Sequence, residues 1–272
     1  MSGVRDELDE DDADPVRMRH RDLERIANAA LRVGRALMEC GASVSVTRLG
    51  VTMTARGLGA GIIGVRVGYA SIGLTVSAEQ TTITRMISVG GHGVNHRLDM
   101  AVRALAARVA EKGGTVASVN GDLDRLIRET PRHPVWLVAL ATGGACAAFG
   151  RLLGVDGPAF AAVLLGGTIG QDMRRRLVVR GVNPFVISAL VAFVAGSIGG
   201  WGARLLGSAS VDMATIAASL LLVPGVPATN AQTDIMEGYP TVGSARAVAV
   251  GMMMVFAATG IWCAQGLLRA GA

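Results

Sequence analysis

The stretch from Ser210 to Tyr239 constrains the fold of this chain more than any other. An apolar, helix-like run meets Pro224-Gly225-Val226-Pro227 and passes directly into Thr229, Asn230, Gln232, Asp234 and Glu237. Proline has no backbone N–H and its ring clashes with the preceding turn, so a pair of prolines interrupts a helix. A segment of hydrocarbon length that breaks and then turns polar reads as a discontinuous transmembrane helix lining a cavity. Irregular backbone survives at membrane depth only where its freed N–H and C=O groups find protein or water.

Hydrophobic residues make up 51% of the sequence and charged residues 17%, with the charge concentrated in the first half, so a polar part and a membrane part are expected. Residues 1–18 read as a disordered acidic tail, because Asp6, Glu7, Asp9, Glu10, Asp11, Asp12 and Asp14 repel one another and bury nothing to offset the entropy of ordering. No apolar signal region precedes the first charged helix, which keeps the N-terminus in the cytoplasm. Cys40, Cys146 and Cys263 lie far apart and fit neither a disulfide framework nor a zinc spacing, so they are expected to be buried thiols. A net charge of +5 comes from arginines beside apolar segments rather than from a stripe with interleaved aromatics, which argues against a nucleic-acid partner.

Residues 19–132 are expected to form a cytoplasmic α+β domain. Leu23, Ile26, Ala27, Ala30, Leu31, Ala36 and Leu37 recur at helical spacing between Arg21 and Cys40, with Arg21, Arg25, Arg32 and Arg35 off the apolar stripe. Ala42 to Gly57 carries both strand and helix signals and is read as helix. Three strand-like runs, Ile62 to Tyr69, Ser71 to Ser77 and Thr82 to Val89, have the short connections of an antiparallel meander. Helices are expected over Val94 to Lys112 and Gly121 to Glu129 before Pro131 and Pro134.

Residues 133–272 are expected to form a helical transmembrane domain with five spans: Val135 to Leu153, Pro158 to Gln171, Val182 to Ala203, Met213 to Val226 and Arg246 to Leu268. A bilayer core takes about 20 helical residues. The second segment is short and the fourth is interrupted. With the N-terminal domain inside, Arg125, Arg128, Arg132, Arg174, Arg175, Arg176, Arg180 and Arg246 fall on the cytoplasmic side, leaving Arg151, Arg204 and Arg269 outside. That asymmetry gives an N-in, C-out, multi-pass inner-membrane protein.

Several motifs invite chemistry and receive plainer readings. Gly59-x-Gly61-x-x-Gly64 leads into a strand rather than a helix, so it reads as a connection and no cofactor is expected. His92 and His96 lack a third ligand and read as surface or capping residues, with no metal expected. Ser43, Ser45 and Ser71 have no nucleophile-elbow context. Gly150-xxx-Gly154, Gly166-xxx-Gly170 and Gly196-xxx-Gly200 read as helix-packing faces.

The site candidates lie in the membrane half. Carboxylates at depth are costly and usually face a pathway. Asp172, with Gln171 at the end of the second segment, reads equally as a substrate group or as an ion pair with Arg174 to Arg176; Asp212 reads as a helix cap. If a helix restarts after Pro227, Thr229 or Asn230 lies in its first turn, whose free N–H groups suit a substrate carboxylate, and Asp234 one turn on suits an ammonium group or a proton. The competing reading makes Pro224 to Pro227 an exit turn and Asn230 to Glu237 a loop.

Leu222-Val223-Pro224-Gly225-Val226-Pro227-Ala228-Thr229-Asn230, followed by Asp234 and Gly238, resembles the signature of the threonine/serine exporter family (ThrE/YjjP type). The likeness runs from about Arg21 to the C-terminus, with Gly41-Ala42 after the first helix. It implies an inner-membrane secondary exporter of a small polar, carboxylate-bearing metabolite, threonine, serine or a dicarboxylate such as succinate. The family motif maps onto Pro224, Gly225 and Pro227 as the helix break and onto Thr229, Asn230 and Asp234. Full-length exporters of this type carry a second membrane half, whereas this sequence offers one, so the resemblance implies a homo-oligomer or a separate short membrane subunit. The rival expectation is a membrane-anchored enzyme with a hydrolase-like cytoplasmic domain.

Overall fold

A computed structural model describes residues 20–79, 81–91, 93–131, 133–220 and 224–271. The acidic tail, His92, Leu222 and Val223 lie outside the described residues. The chain divides into two compact units: residues up to Thr130 together with Asp234–Val242, and Pro131–Thr233 together with Gly243–Ala272.

The first unit is built on α1 (His20–Glu39), whose apolar spacing buries Leu23, Ile26, Leu31, Val33, Leu37 and Met38 while Arg21, Arg25 and Arg35 stay exposed. Three strands, β1 (Gly61–Val67), β2 (Ser71–Ala78) and β3 (Thr81–Ser88), form the expected antiparallel meander in the order β1-β2-β3. Alternation along β2 turns Ile72, Leu74 and Val76 inward, where α1 packs on β2 and β3. The ambiguous segment is a helix, α2 (Val44–Gly57), packed on α1 and β1. Burial of Val44, Thr47, Val51, Thr54 and Ala55 at three- and four-residue spacing gives it a helical rather than a stranded apolar face. Gly59 has φ +90° in the turn after α2, and Gly61 opens β1, so the glycine pattern serves a helix-to-strand connection.

Two further helices close this unit. In α3 (His96–Lys112) Val102, Leu105 and Val109 are buried, and Asn95 caps the first turn by accepting from the Leu98 N–H. The last helix, α4 (Val116–Glu129), starts five residues earlier than the sequence suggests because Thr115 caps it, its hydroxyl accepting from the Ser118 N–H. Arg32 of α1 reaches Asn120 at 2.7 Å and Asp124 at 2.5 Å on α4. Cys40 is buried beside Asp99 and Glu39; burial first, then these carboxylates, push its thiol up to about 11, so it stays protonated.

The second unit is helical. Among the described residues three helices are long and apolar enough to cross a membrane: α5 (Val135–Leu152), α7 (Pro184–Leu205) and α10 (Pro240–Ala270). Between the first two lies α6 (Gly157–Val179), which runs past Gln171 through the arginine cluster, since arginine is a good helix former and the stop comes only at Gly181, φ +71°. The interrupted fourth segment forms α8 (Val211–Ala218) and α9 (Gly225–Met236). The last helix begins at Pro240, a favoured first position, so Arg246 is not at a span end but within α10, where it is 5% exposed.

Two other expectations change. Cys146 is buried, but Cys263 is exposed on α10, because the apolar composition of that helix does not distinguish its packed side from its open one. Gly154 is a turn residue, φ +97°, and not half of a packing pair.

Glycines on α6 and α7 set the spacing of the second unit. A methyl group on Gly166 would stand 2.6 Å from the Ala195 carbonyl oxygen, and one on Gly199 would stand 2.8 Å from Ala218 Cβ. Such close backbone approach is how apolar helices gain contact where lipid gives no hydrophobic drive for association. Gly166→Ala should therefore destabilise this bundle by about 1–3 kcal/mol. Gly144→Ala, whose methyl meets nothing within 4 Å, should leave stability unchanged or slightly raised, as thermal unfolding of the detergent-solubilised protein will show.

Candidate functional site

The two helices flanking the break differ in how their ends are satisfied. At the C-terminus of α8, the Cys146 thiol of α5 donates to the Ala218 carbonyl at 3.7 Å, and the Ser219 hydroxyl donates to the Ala192 carbonyl of α7 at 3.1 Å. Ala218 sits against the Gly166 and Gly199 backbone, so the glycine faces of α6 and α7 seat the end of the broken helix. The first contact satisfies a carbonyl at the end of α8, and the second ties that end to the α7 backbone.

The second helix starts earlier than expected. Gly225 is its first residue, and the Ala228 N–H donates to the Pro224 carbonyl at 3.0 Å, which places Pro227 in the first turn where no intrahelical N–H is required. Gly225 and Val226 are exposed, and a methyl on Gly225 would meet nothing within 4 Å. Asn230 to Met236 is thus helix and not an exit loop. Thr229 and Asn230 fall in the second turn rather than the first. The Thr229 hydroxyl donates back to the carbonyls of Gly225 at 2.8 Å and Val226 at 3.1 Å, while Asn230 is half-buried.

Asp234 lies on the same helix face as Asn230, one turn on, and is fully buried. Its segment belongs to the first compact unit. There Asp234 Oδ1 accepts the Val44 N–H at 2.8 Å, at the start of α2. The position before that helix, Ser43, makes no side-chain cap, so the carboxylate takes the capping role from a distant part of the chain. A carboxylate at the positive end of a helix is favourably placed. One turn along α2, the Arg48 guanidinium donates to the Tyr239 hydroxyl and lies 5.4 Å from its ring centroid.

Between Asp234 and Tyr239 the chain turns in a Schellman motif. Gly238 has φ +86°, its N–H donates to the Ile235 carbonyl at 3.2 Å, and the Tyr239 N–H donates to the Asp234 carbonyl at 2.7 Å. Pro240 then opens α10. Arg48, Val44 and Tyr239 were not among the sequence candidates. A backbone donor has no side-chain signature, although Gly238 before Tyr239-Pro240 does mark the turn.

The remaining candidates form a separate set. Asp172 is paired with Arg176 of its own helix at 2.6 Å, the ion-pair reading of the sequence, with Gln171 half-buried beside it. Asp212 is exposed in the first turn of α8. Among the described residues no group of three His, Cys, Asp or Glu side chains gathers that could hold a metal.

Asp234→Ala removes the acceptor at Val44 and should cost about 1 kcal/mol, the usual worth of a helix cap. Asp234→Asn keeps an oxygen for that N–H and should cost less. Hydrogen exchange of the Val44 amide, faster in the alanine variant than in the asparagine variant, checks both.

The family model for the threonine/serine exporter (ThrE) matches residues 28–268. A Klebsiella aerogenes protein named "Probable succinate transporter subunit YjjP" is 26% identical over 211 residues, covering 77% of this chain and 81% of its own length. A protein of the same name from Escherichia coli K12 is 32% identical over 131 residues, 48% of this chain and 51% of its own. No solved structure matches the chain. The family match spans nearly the whole sequence, and the chain belongs to the threonine/serine exporter family.

Proposed function

We propose that this protein is a secondary exporter, or one subunit of it, that moves a small carboxylate-bearing metabolite out of the cytoplasm across the inner membrane. The observation that carries the reading is the interrupted fourth segment, with α8 anchored at its C-terminus and Gly225 and Val226 exposed at the start of α9. Five spans follow if α5, α6, α7, the α8–α9 pair and α10 each cross, with residues 19–132 as a cytoplasmic vestibule or gate and residues 133–272 as the membrane domain. The arginine distribution supports N-in, C-out. Transport proceeds by alternating access, in which the solute is bound more tightly by one of two conformations on each side.

In this scheme the exposed first turn at Gly225 and Val226 and the Asn230 amide receive the carboxylate, Thr229 shapes the first turns, and Asp234 carries the proton or faces an ammonium group. Gln171 and Asp172 form an accessory polar pair near the cytoplasmic end of α6. The relatives' name brings succinate forward as a candidate solute, and the family's name brings forward threonine and serine. Their designation as subunits supports assembly with a second copy or a short membrane partner.

Efflux of labelled threonine, serine and succinate from vesicles containing this chain alone, or with a short partner, tests the reading. Asn230→Ala should lower flux at least tenfold, whereas Thr229→Val should keep most of it because that hydroxyl bonds its own helix. Asp234→Asn, which keeps the helix cap, should abolish the pH dependence of flux with the protein still inserted. Unchanged flux in the Asn230 variant removes the broken helix from the solute path.

A further inference from the structure

One end of the helical unit carries a cavity of about 470 Å³ that the broken helix does not explain. It lies where α7 ends, α8 begins and α10 ends, and it is lined by Arg204, Arg269, Asp212, Ser210, Ala209 and Leu268 among others. Under the proposed topology this is the outward end, where the positive-inside rule leaves few basic residues. Arg204 and Arg269 are two of the three arginines placed there, and both face one cavity.

The lining is held in place. Arg204 donates to the Leu268 carbonyl at 2.9 Å and lies 5.2 Å from the Trp201 ring centroid, which fixes its guanidinium while leaving its other N–H donors. Asp156, before α6, braces the wall opposite: its oxygens accept from the Ser208 hydroxyl at 2.8 and 2.9 Å and from the Ala209 N–H at 2.9 Å. The Ser208 hydroxyl chiefly, against partial burial and with help from the Ala159 and Ala209 N–H groups, holds the Asp156 carboxyl below its usual range. Ser210 accepts from the Asp156 N–H at 3.0 Å and makes no cap on α8, so the helix start carries no side-chain cap from its own Ser210.

We propose that this cavity is a carboxylate-binding site, separate from the broken helix, at which the exported solute is held before release. The two guanidiniums supply charge-assisted donors for one carboxylate. Asp212 on the same lining disfavours a second carboxylate and suits a ligand that carries an ammonium or hydroxyl beside the first. The identity of the ligand as the exported solute rests on the export reading; the site itself does not.

The test uses the full chain in nanodiscs with Cys40, Cys146 and Cys263 replaced by serine and with Ala209→Cys as a reporter for a membrane-impermeant thiol reagent. Serine should slow labelling in a saturable way, with succinate requiring about tenfold more, and Arg269→Gln should raise the half-protecting serine concentration about tenfold. Asp212→Asn should narrow the gap between serine and succinate. Protection that is unaffected by both Arg269→Gln and Arg204→Gln overturns the site. So does protection by inorganic phosphate but not by carboxylates, or protection present without solute in anionic-lipid discs and absent in phosphatidylcholine discs, which assigns the cavity to a lipid headgroup. Asn230→Ala separates the two readings: protection surviving with flux lost supports both, protection with no flux in any variant leaves this site and ends the export reading, and loss of protection reduces the cavity to part of the broken-helix site.

Discussion

Backbone hydrogen bonding in an apolar medium is the constraint from which the helical unit follows. A helix that stops inside hydrocarbon leaves carbonyls that no lipid can satisfy. Here the end of α8 meets a cysteine thiol on α5 and an alignment of small residues on α6 and α7 that brings their backbones within reach. Sequence composition fits that need: alanine and glycine are frequent on the facing surfaces of α6, α7 and α8, where a methyl on Gly166 or Gly199 would meet a neighbouring helix within 3 Å.

Much of the architecture was legible because it rests on periodicity. The stripe from Leu23 to Leu37 located α1 to within a residue at each end, and the alternation of Ile72, Leu74 and Val76 located β2 and its neighbours. The segment after Gly41 mixed β-branched residues with a helical apolar face, and packing on α1 decided for helix, a case of tertiary context overriding propensity. Segment ends were less legible, since arginines extend α6 beyond its apolar stretch and Pro240 starts α10 ahead of its apolar core.

The candidate site was legible in its covalent part and illegible in its partners. Pro224, Gly225 and Pro227 announced the break, and the spacing of Asn230 and Asp234 announced a shared face. What Asp234 touches was hidden, because it reaches the main-chain N–H of Val44, 190 positions away in sequence. The carboxylate therefore has a structural duty as well as a proposed chemical one.

The glycine contacts also have a mechanical consequence. Where a missing methyl is all that separates two main chains, there is no layer of side chains to shear, and sliding would drive carbonyl oxygens into Cα atoms. The α6, α7 and α8 helices are accordingly in close backbone contact at Gly166 and Gly199. On α10 the glycines divide: a methyl on Gly260 would stand 2.2 Å from the Ala189 carbonyl oxygen of α7, whereas one on Gly251 or Gly266 would meet no described atom within 4 Å. Compliance in this protein is distributed by where a hydrogen atom stands in for a side chain and what lies across from it.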